Sequence, residues 1–366
     1  APLVLISSLG GMHTLNYAMG NPSELAYVGN SMLPFTDHMT FLERFENVML
    51  TVFWDLGIRW IYMPRQEALR KEFFGASNSS IWDLRYSASL ALLNSHFSIN
   101  YPRPLVPAVL EVGGMQVQRS TQPLPRDLQT FLDGAKKGAI YFSLGSNVRI
   151  DTMPPEKLNA LLDAFAELPQ RVLFKWESDS VPVQLENVKF SKWFPQQDIL
   201  AHPNLRLFFT HGGLLSIQEA AYHGIPLIGL PLFGDQFLNL RKAESDGYAV
   251  MLTLKNLTKS SVLWAVNKIL HDKSMHLEAQ RRSALFRDQL ETPLERAVFW
   301  VEHVLRHKGA PHLRSAALDL AWYQLYLLDV AIVIRLFIFG IVFLLRLGWR
   351  RCCRKPTMAL SDKKNK

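Results

Sequence analysis

Cysteine is almost absent from this chain. Its 366 residues include two, Cys352 and Cys353, side by side near the C-terminus. Neighbouring cysteines rarely close a structural disulfide, and no Cys/His spacing has the form of a metal site. A disulfide scaffold and a bound metal are therefore not expected. The pair reads either as two free thiols or as a site of S-acylation beside a membrane. Also missing is a G-x-G-x-x-G turn after an early strand with an acidic residue about twenty positions on, which argues against a nicotinamide-dependent dehydrogenase. Neither an initiator Met nor a signal-peptide pattern stands at Ala1. No basic stripe interleaved with aromatics is present. The formal charge is +8, but from Arg346 onward eight basic residues face Asp362 alone. The rest of the chain is close to neutral, so nucleic acid is not expected as a partner.

What is present is length and apolar content. At 366 residues and 48% hydrophobic, the chain can bury a sizeable core and hold about two domains. Residues 1–120 look like the tail of one α/β domain, with strands over Leu3–Ser8 and Leu90–Asn94 and a helix over Phe41–Tyr62. Pro102, Pro104 and Pro107 mark an extended passage, and Gln118–Pro125 a polar linker. A second domain over 121–290 alternates strands and helices: Asp127–Asp133 helix, Ala139–Leu144 strand, Pro155–Leu168 helix, Arg171–Trp176 strand. Leu158, Leu161, Leu162 and Phe165 form one apolar stripe. After the strand Leu205–Thr210 come the helix Leu214–His223, the strand Pro226–Leu230, a helix from Asp235, the strand Ala249–Thr253 and a helix over Ser260–Leu270. Such alternation implies parallel βαβ units.

The run from Trp193 to Gln236 carries the chemistry. A short apolar strand empties into His211-Gly212-Gly213, and a helix follows directly. Free backbone N–H groups and the positive end of the helix dipole at that point stabilise a diphosphate. Glycine allows close approach of the backbone, and His211 can donate to a phosphate oxygen. Ser216 and Glu219 are three apart and share a helix face: the hydroxyl suits phosphate, the carboxylate two adjacent ribose hydroxyls. Asp235 and Gln236 lie past the carboxyl end of the next strand, where open α/β sheets bind ligands, and suit sugar hydroxyls. Trp193 offers a flat face for a base, with the Gln196 amide nearby.

In this order the residues resemble the signature segment of the UDP-glycosyltransferases. Asn100–Met115 and Tyr141–Asn147 also resemble segments of that family, most like those of insect members. The resemblance implies two facing Rossmann-like domains of GT-B type, the first incomplete here, with the active cleft between them. Residues 291–320 would form a returning helix and connector, with Glu295–His307 bracing the first domain. It also implies that Trp193 stacks on uracil and Gln196 lies by the nucleoside. His211, Gly213, Ser216 and Ser146 would meet the diphosphate, Glu219 the ribose, and Asp235 and Gln236 the donor sugar. Many relatives carry Asn where this chain has Leu215, so Ser216 and backbone N–H groups must do more. The UDP-sugar is a substrate, and no cofactor is implied. UDP-glucose is favoured over UDP-glucuronate, with a small lipophilic molecule as acceptor.

The family's catalytic base is a His near the start of the first domain, oriented by an Asp that precedes this chain's first strand. Neither position exists in these residues, so no catalytic residue is expected among them. His13 and His38 read as loop or packing residues. The expectation is a chain lacking roughly the first third of the family's length, which binds UDP-sugar and turns over poorly by itself. The alternative is a non-catalytic UDP-sugar-binding protein of the same fold, associating as a homo- or hetero-oligomer with related transferases.

Leu325–Trp349, within segment 321–349, is long enough for a bilayer core, although Asp329 and Arg335 interrupt it. The basic cluster in the tail, residues 350–366, places that end in the cytosol and the body in the lumen. The ending Lys363-Lys364-Asn365-Lys366 resembles a dilysine signal of endoplasmic-reticulum membrane proteins. Asn78-Ser79-Ser80 and Asn256-Leu257-Thr258 fit the N-glycosylation pattern.

Overall fold

Parallel pairing organises every strand among the described residues. The computed structural model describes residues 1–75, 79–118 and 120–352. Asn78, Cys353 and the terminal lysines lie outside them, as do the side chains of Arg351 and Cys352. The chain divides after Ser315 into two compact units.

The first unit begins with β1 (Leu3–Ser7), α1 (His13–Ala18), α2 (Phe41–Gly57), α3 (Met63–Phe74) and α4 (Ile81–Tyr86), then β2 (Ala88–Leu93) and β3 (Val109–Glu111). The three strands form a sheet in the order β1-β2-β3, with Val4 opposite Leu90 and Ala91 opposite Val109. Thr40 and Glu43 form a capping box that starts α2. The single helix expected over Phe41–Tyr62 instead ends its α-helical part at Gly57. It continues through a π-helical turn, Ile58–Tyr62, into α3. Pro64, near the start of α3, has no N–H for the carbonyl four residues back, and its ring crowds that carbonyl. A wider turn relieves both problems.

The chain then runs through α5 (Arg126–Asp133), β4 (Ala139–Ser143), α6 (Pro155–Glu167), β5 (Arg171–Lys175), β6 (Val188–Ser191), α7 (Gln196–Leu200), β7 (Leu205–Thr210), α8 (Leu214–His223), β8 (Leu227–Gly229), α9 (Gln236–Ser245), β9 (Ala249–Met251), α10 (Lys259–His271), α11 (Lys273–Arg287) and α12 (Pro293–Arg306). The six strands order as β6-β5-β4-β7-β8-β9. From β4 the chain winds outward to one edge, then returns beside β4 as β7 and winds to the other. The β4/β7 boundary is therefore the topological switch point, where ligands bind in such sheets.

All five residues of β4 are buried, because helices cover both faces of the sheet. Ile140 and Phe142 pack with Phe165 of α6, Phe174, Phe209 and Val262 of α10. Ala139 and Tyr141, pointing the other way, pack with Leu132 of α5, Phe208, Ala220 of α8 and Leu240 of α9. The period-two switch between these two cores fixes the register: a slip by one residue would exchange the two faces. The helix α11 was not foreseen. Asp272, extended between α10 and α11, caps it by accepting from the Ser274 N–H.

Two devices join the sheets. Gln218 of α8, fully buried, donates to the Asn94 carbonyl at 3.2 Å and accepts from Gly114 N–H at 3.2 Å. The returning helix α12 buries Ala297 and Val304 against Leu90, Leu93 and Val109 of the first sheet. In the second unit are α13 (Trp322–Leu325) and α14 (Leu328–Cys352). Leu327, with φ of 53°, separates them, so the apolar helix starts three residues later than expected. The stretch Leu328–Arg350 is long and apolar enough to cross a membrane.

Candidate functional site

The loop after β4 and the helix after β7 meet at the switch point. Ser146 lies just past Gly145, whose φ is +82°. A Cβ on Gly145 would sit 2.6 Å from Cε1 of the His211 ring, and one on Gly213 would sit 2.6 Å from its Nε2. His211 thus packs closely against two glycines, a fit that a side chain at either would disturb. Burial, and then the Lys175 charge, hold its pKa down to about 4, so the imidazole is neutral at physiological pH. Its Nδ1 is buried and has no partner among the described residues. Gly213 is the N-cap of α8 and supplies no side-chain cap, which leaves the first N–H groups of the helix to a ligand.

Five of the residues singled out from the sequence line one cleft of about 450 Å³: Ser146, Trp193, Gln196, Ser216 and Glu219. Trp193 stands between β6 and α7 and is 75% exposed, a face open for stacking. Gln196 opens α7 and donates from one amide nitrogen to Glu219 Oε2 at 2.6 Å and to Ser216 Oγ at 3.2 Å. Gln197 donates to Glu219 Oε1 at 3.4 Å. Glu219 is only 8% exposed. Burial raises its pKa, and the two glutamine hydrogen bonds oppose that rise. Leu215, where many relatives have Asn, is half exposed on the same cleft.

The other four predicted residues lie elsewhere. His211 and Gly213 are not among the lining residues, and the His211 ring lies against Gly145, which is. Asp235 lines a separate cavity of about 60 Å³ whose other walls come from the loops after β1 and β2, including Gly10, Gly11 and Arg103, and from α1, α2 and α9. Gln236 is buried, and its side-chain carbonyl accepts from the N–H groups of Leu232 and Phe233 at 2.8 and 3.1 Å. That carbonyl is committed to the β8–α9 loop, so only its amide nitrogen is left for a sugar. Asn239, unnoticed in the sequence, ties the two regions. It donates to Asp235 Oδ2 at 2.7 Å and to the Gly212 carbonyl at 3.1 Å. Burial raises the Asp235 pKa, and the Asn239 bond counters it.

Lys175 and Gln197 were also missed. A lysine closing the apolar run 172–174 of β5, at the carboxyl end where ligands bind, was the available signal for the first. Of the loop and packing roles expected for His13, the loop role does not hold. His13 opens α1 and pairs through Nε2 with Asp55 Oδ2 at 3.1 Å in the cavity that Asp235 lines. His38 pairs with Asp37 at the surface.

Comparison with known proteins places this geometry. The model of the family described as UDP-glucoronosyl and UDP-glucosyl transferase matches residues 2–366. UDP-glycosyltransferase UGT5 of Dactylopius coccus is 39% identical over 332 residues, 90% of this chain and 63% of that protein. UDP-glucuronosyltransferase 2B13 of Oryctolagus cuniculus is 38% identical over 306 residues, 83% of this chain and 57% of that protein. The chain thus spans less than two thirds of the length of these relatives. Among solved structures, the glycotransferase of kitacinnamycin superposes with a TM-score of 0.52 at 20% identity, covering 71% of this chain and 67% of its own. UDP-glucose: anthocyanidin 3-O-glucosyltransferase in complex with UDP gives 0.50 at 18% identity, covering 63% and 58%. These likenesses show the fold, two Rossmann-like parts of GT-B type. With the family match across nearly its whole length, the chain belongs to the UDP-glucoronosyl and UDP-glucosyl transferase family.

Proposed function

We propose that the cleft at the switch point binds the nucleotide of a UDP-sugar, and that the protein transfers the hexosyl group to a hydroxyl of a small lipophilic acceptor. One observation carries this reading: an exposed indole, the buried Glu219 carboxylate, three glutamine amides and the Ser146 and Ser216 hydroxyls line one 450 Å³ cleft beside an uncapped helix N-terminus. In this reading Trp193 stacks on the base, Glu219 holds the ribose, and Ser146, Ser216, His211 and the Gly213 turn hold the diphosphate. Asp235 and the Gln236 amide hold the sugar, which we take to be glucose. The acceptor oxygen attacks the anomeric carbon, the bond from that carbon to UDP breaks with its electron pair leaving on the diphosphate, and the acceptor's proton passes to a base.

Membrane attachment through α14, with the body in the endoplasmic-reticulum lumen, belongs to the same proposal. Its supports are the length and apolar character of α14 and the basic residues that follow. Asn256 is exposed at the end of a short turn, as a glycan acceptor must be.

Isothermal titration of the 366-residue chain with UDP, and release of UDP from labelled UDP-glucose in the presence of phenolic acceptors, test the proposal. Absence of any UDP binding would remove it. Extraction of the protein from membranes by alkaline carbonate would remove the anchor.

A further inference from the structure

Three histidines meet at the C-terminal end of α12. His303 and His307 are four residues apart, so they share one face of the helix end. The chain then turns back through Lys308, Gly309 and Ala310, with φ of 51°, 99° and 47°, and a short 3-10 turn, Pro311–Leu313, carries His312. Left-handed residues in succession are costly where two of them have a Cβ. Ala310 and Leu313 are buried with Val304 in the core of the first sheet, and that packing holds the turn. His312 is therefore brought to His303 by a fixed backbone. Its Nε2 lies 3.2 Å from the His303 Nε2. The centres of the three rings are 4.4, 5.4 and 5.7 Å apart.

These distances have a chemical meaning. Zinc binds imidazole nitrogen at about 2.0–2.1 Å, and tetrahedral angles then set two ligating nitrogens about 3.3 Å apart and their ring centres about 5 Å apart. His303 and His312 present a nitrogen pair at that spacing. As the side chains stand, no three His, Cys, Asp or Glu groups among the described residues converge as a metal site. The His307 ring completes the set by turning about its Cβ–Cγ bond, a soft torsion that swings the nitrogens and leaves the ring centre in place. Glu302, the neighbouring carboxylate in sequence, pairs with Arg306 at 3.2 Å, so the fourth position falls to water. Imidazoles without a carboxylate suit zinc and not magnesium or calcium. Histidine alone carries the spacing, with no cysteine beside it, and it was passed over in the sequence.

We propose that His303, His307 and His312 bind one zinc ion at the surface. The ion pins the strained turn to α12 and so fastens the helix that covers the first sheet. The site is separate from the nucleotide cleft and does not depend on it.

The test uses the full chain in detergent, purified without a histidine tag and stripped with EDTA. Zinc chloride is titrated calorimetrically, and thermal unfolding is followed with and without it. One zinc per chain is expected, with a rise in melting temperature at saturation and no response to magnesium or calcium. Loss of an outer-shell partner already costs about 10–100-fold in metal affinity, so loss of a ligand should cost at least as much. His307→Ala should weaken zinc at least about 10-fold, and His303→Ala with His312→Ala at least about 100-fold. The double variant should also lose the zinc-dependent rise in melting temperature. Failure of the unmodified chain to bind zinc overturns the proposal and leaves His303 and His312 as a hydrogen-bonded pair only. Zinc affinity retained by the double variant overturns it too, because the ion is then held elsewhere, at the tail cysteines for example. If the double variant does not fold, His307→Ala decides, and an unchanged zinc affinity there overturns the three-histidine site.

Discussion

The Gln196 side-chain amide donates to the Glu219 carboxylate at 2.6 Å, across the gap between the start of α7 and the second turn of α8. Glu219 is almost fully buried and its pKa is raised by that burial. Its charge is therefore kept at a cost to the folded state, which suits a group retained for binding. Glu219→Gln should leave thermal stability equal or higher, because the desolvated charge is gone. It should weaken UDP about 10- to 100-fold and abolish any preference for UDP over 2′-deoxy-UDP. A variant that still discriminates between the two nucleotides would show that the ribose is held elsewhere.

Trp193 gives the converse case. With three quarters of its surface open to solvent, its removal costs little folding energy, within about 0.5 kcal/mol. Stacking of a base on an aromatic ring is worth about 1–3 kcal/mol. Trp193→Ala should lower the affinities for uridine and UDP by the same factor, about 5- to 100-fold, at an unchanged melting temperature. Unequal losses for the two ligands would place the ring away from the base.

Gly145 tests the close packing against His211. A methyl group there would lie 2.6 Å from the imidazole, on a residue whose φ is +82°. Gly145→Ala should cost about 1–3 kcal/mol in urea denaturation and should also displace Ser146 and reduce UDP binding. Wild-type stability in this variant would mean that the loop relaxes without strain.

Acid should loosen the first unit before its carboxylates titrate. Burial holds His96, His211 and His223 at about 4, against an ordinary 6.5. Between those values the unfolded chain binds protons that the folded chain refuses. Stability is therefore complete above pH 6.5 and declines as the pH falls toward 4. His96 and His211 each contribute at most about 1.4 kcal/mol per pH unit across that window, and His223 acts in the same direction. Urea midpoints should drop between pH 7 and pH 5. A flat profile would mean that these imidazoles protonate without unfolding.

The strand β7 and the helix α8 were legible to the residue, because an apolar run bounded by His-Pro-Asn and His-Gly-Gly leaves little freedom of length. The residues expected to hold a nucleotide were read as an order along the chain, and five of them line one cleft. What could not be read was anything made by distant parts. Asn239 joins Asp235 to Gly212 only because α9 folds back beside the glycine turn. Gln197 carries no local pattern that separates it from a surface residue, and Lys175 is marked only by its place at the carboxyl end of β5. The π-helical turn after Gly57 depends on how Pro64 is accommodated, and helical periodicity does not encode that. His13 was read as a loop or packing residue, and its helix was not foreseen because six helical residues give too short a period to detect.

The clasp formed by α12 has a consequence for biosynthesis. Val304 and Ala297 complete the cover over β2 and β3, yet they leave the ribosome roughly two hundred residues after those strands. At about 5–20 residues per second, the N-terminal sheet waits roughly 10–40 s with apolar residues such as Leu90 and Leu93 uncovered. Throughout that interval α14 has not yet been translated. The nascent chain must therefore be shielded by something other than its own returning helix, and a ribosome stalled before Ala297 would release a product prone to aggregate.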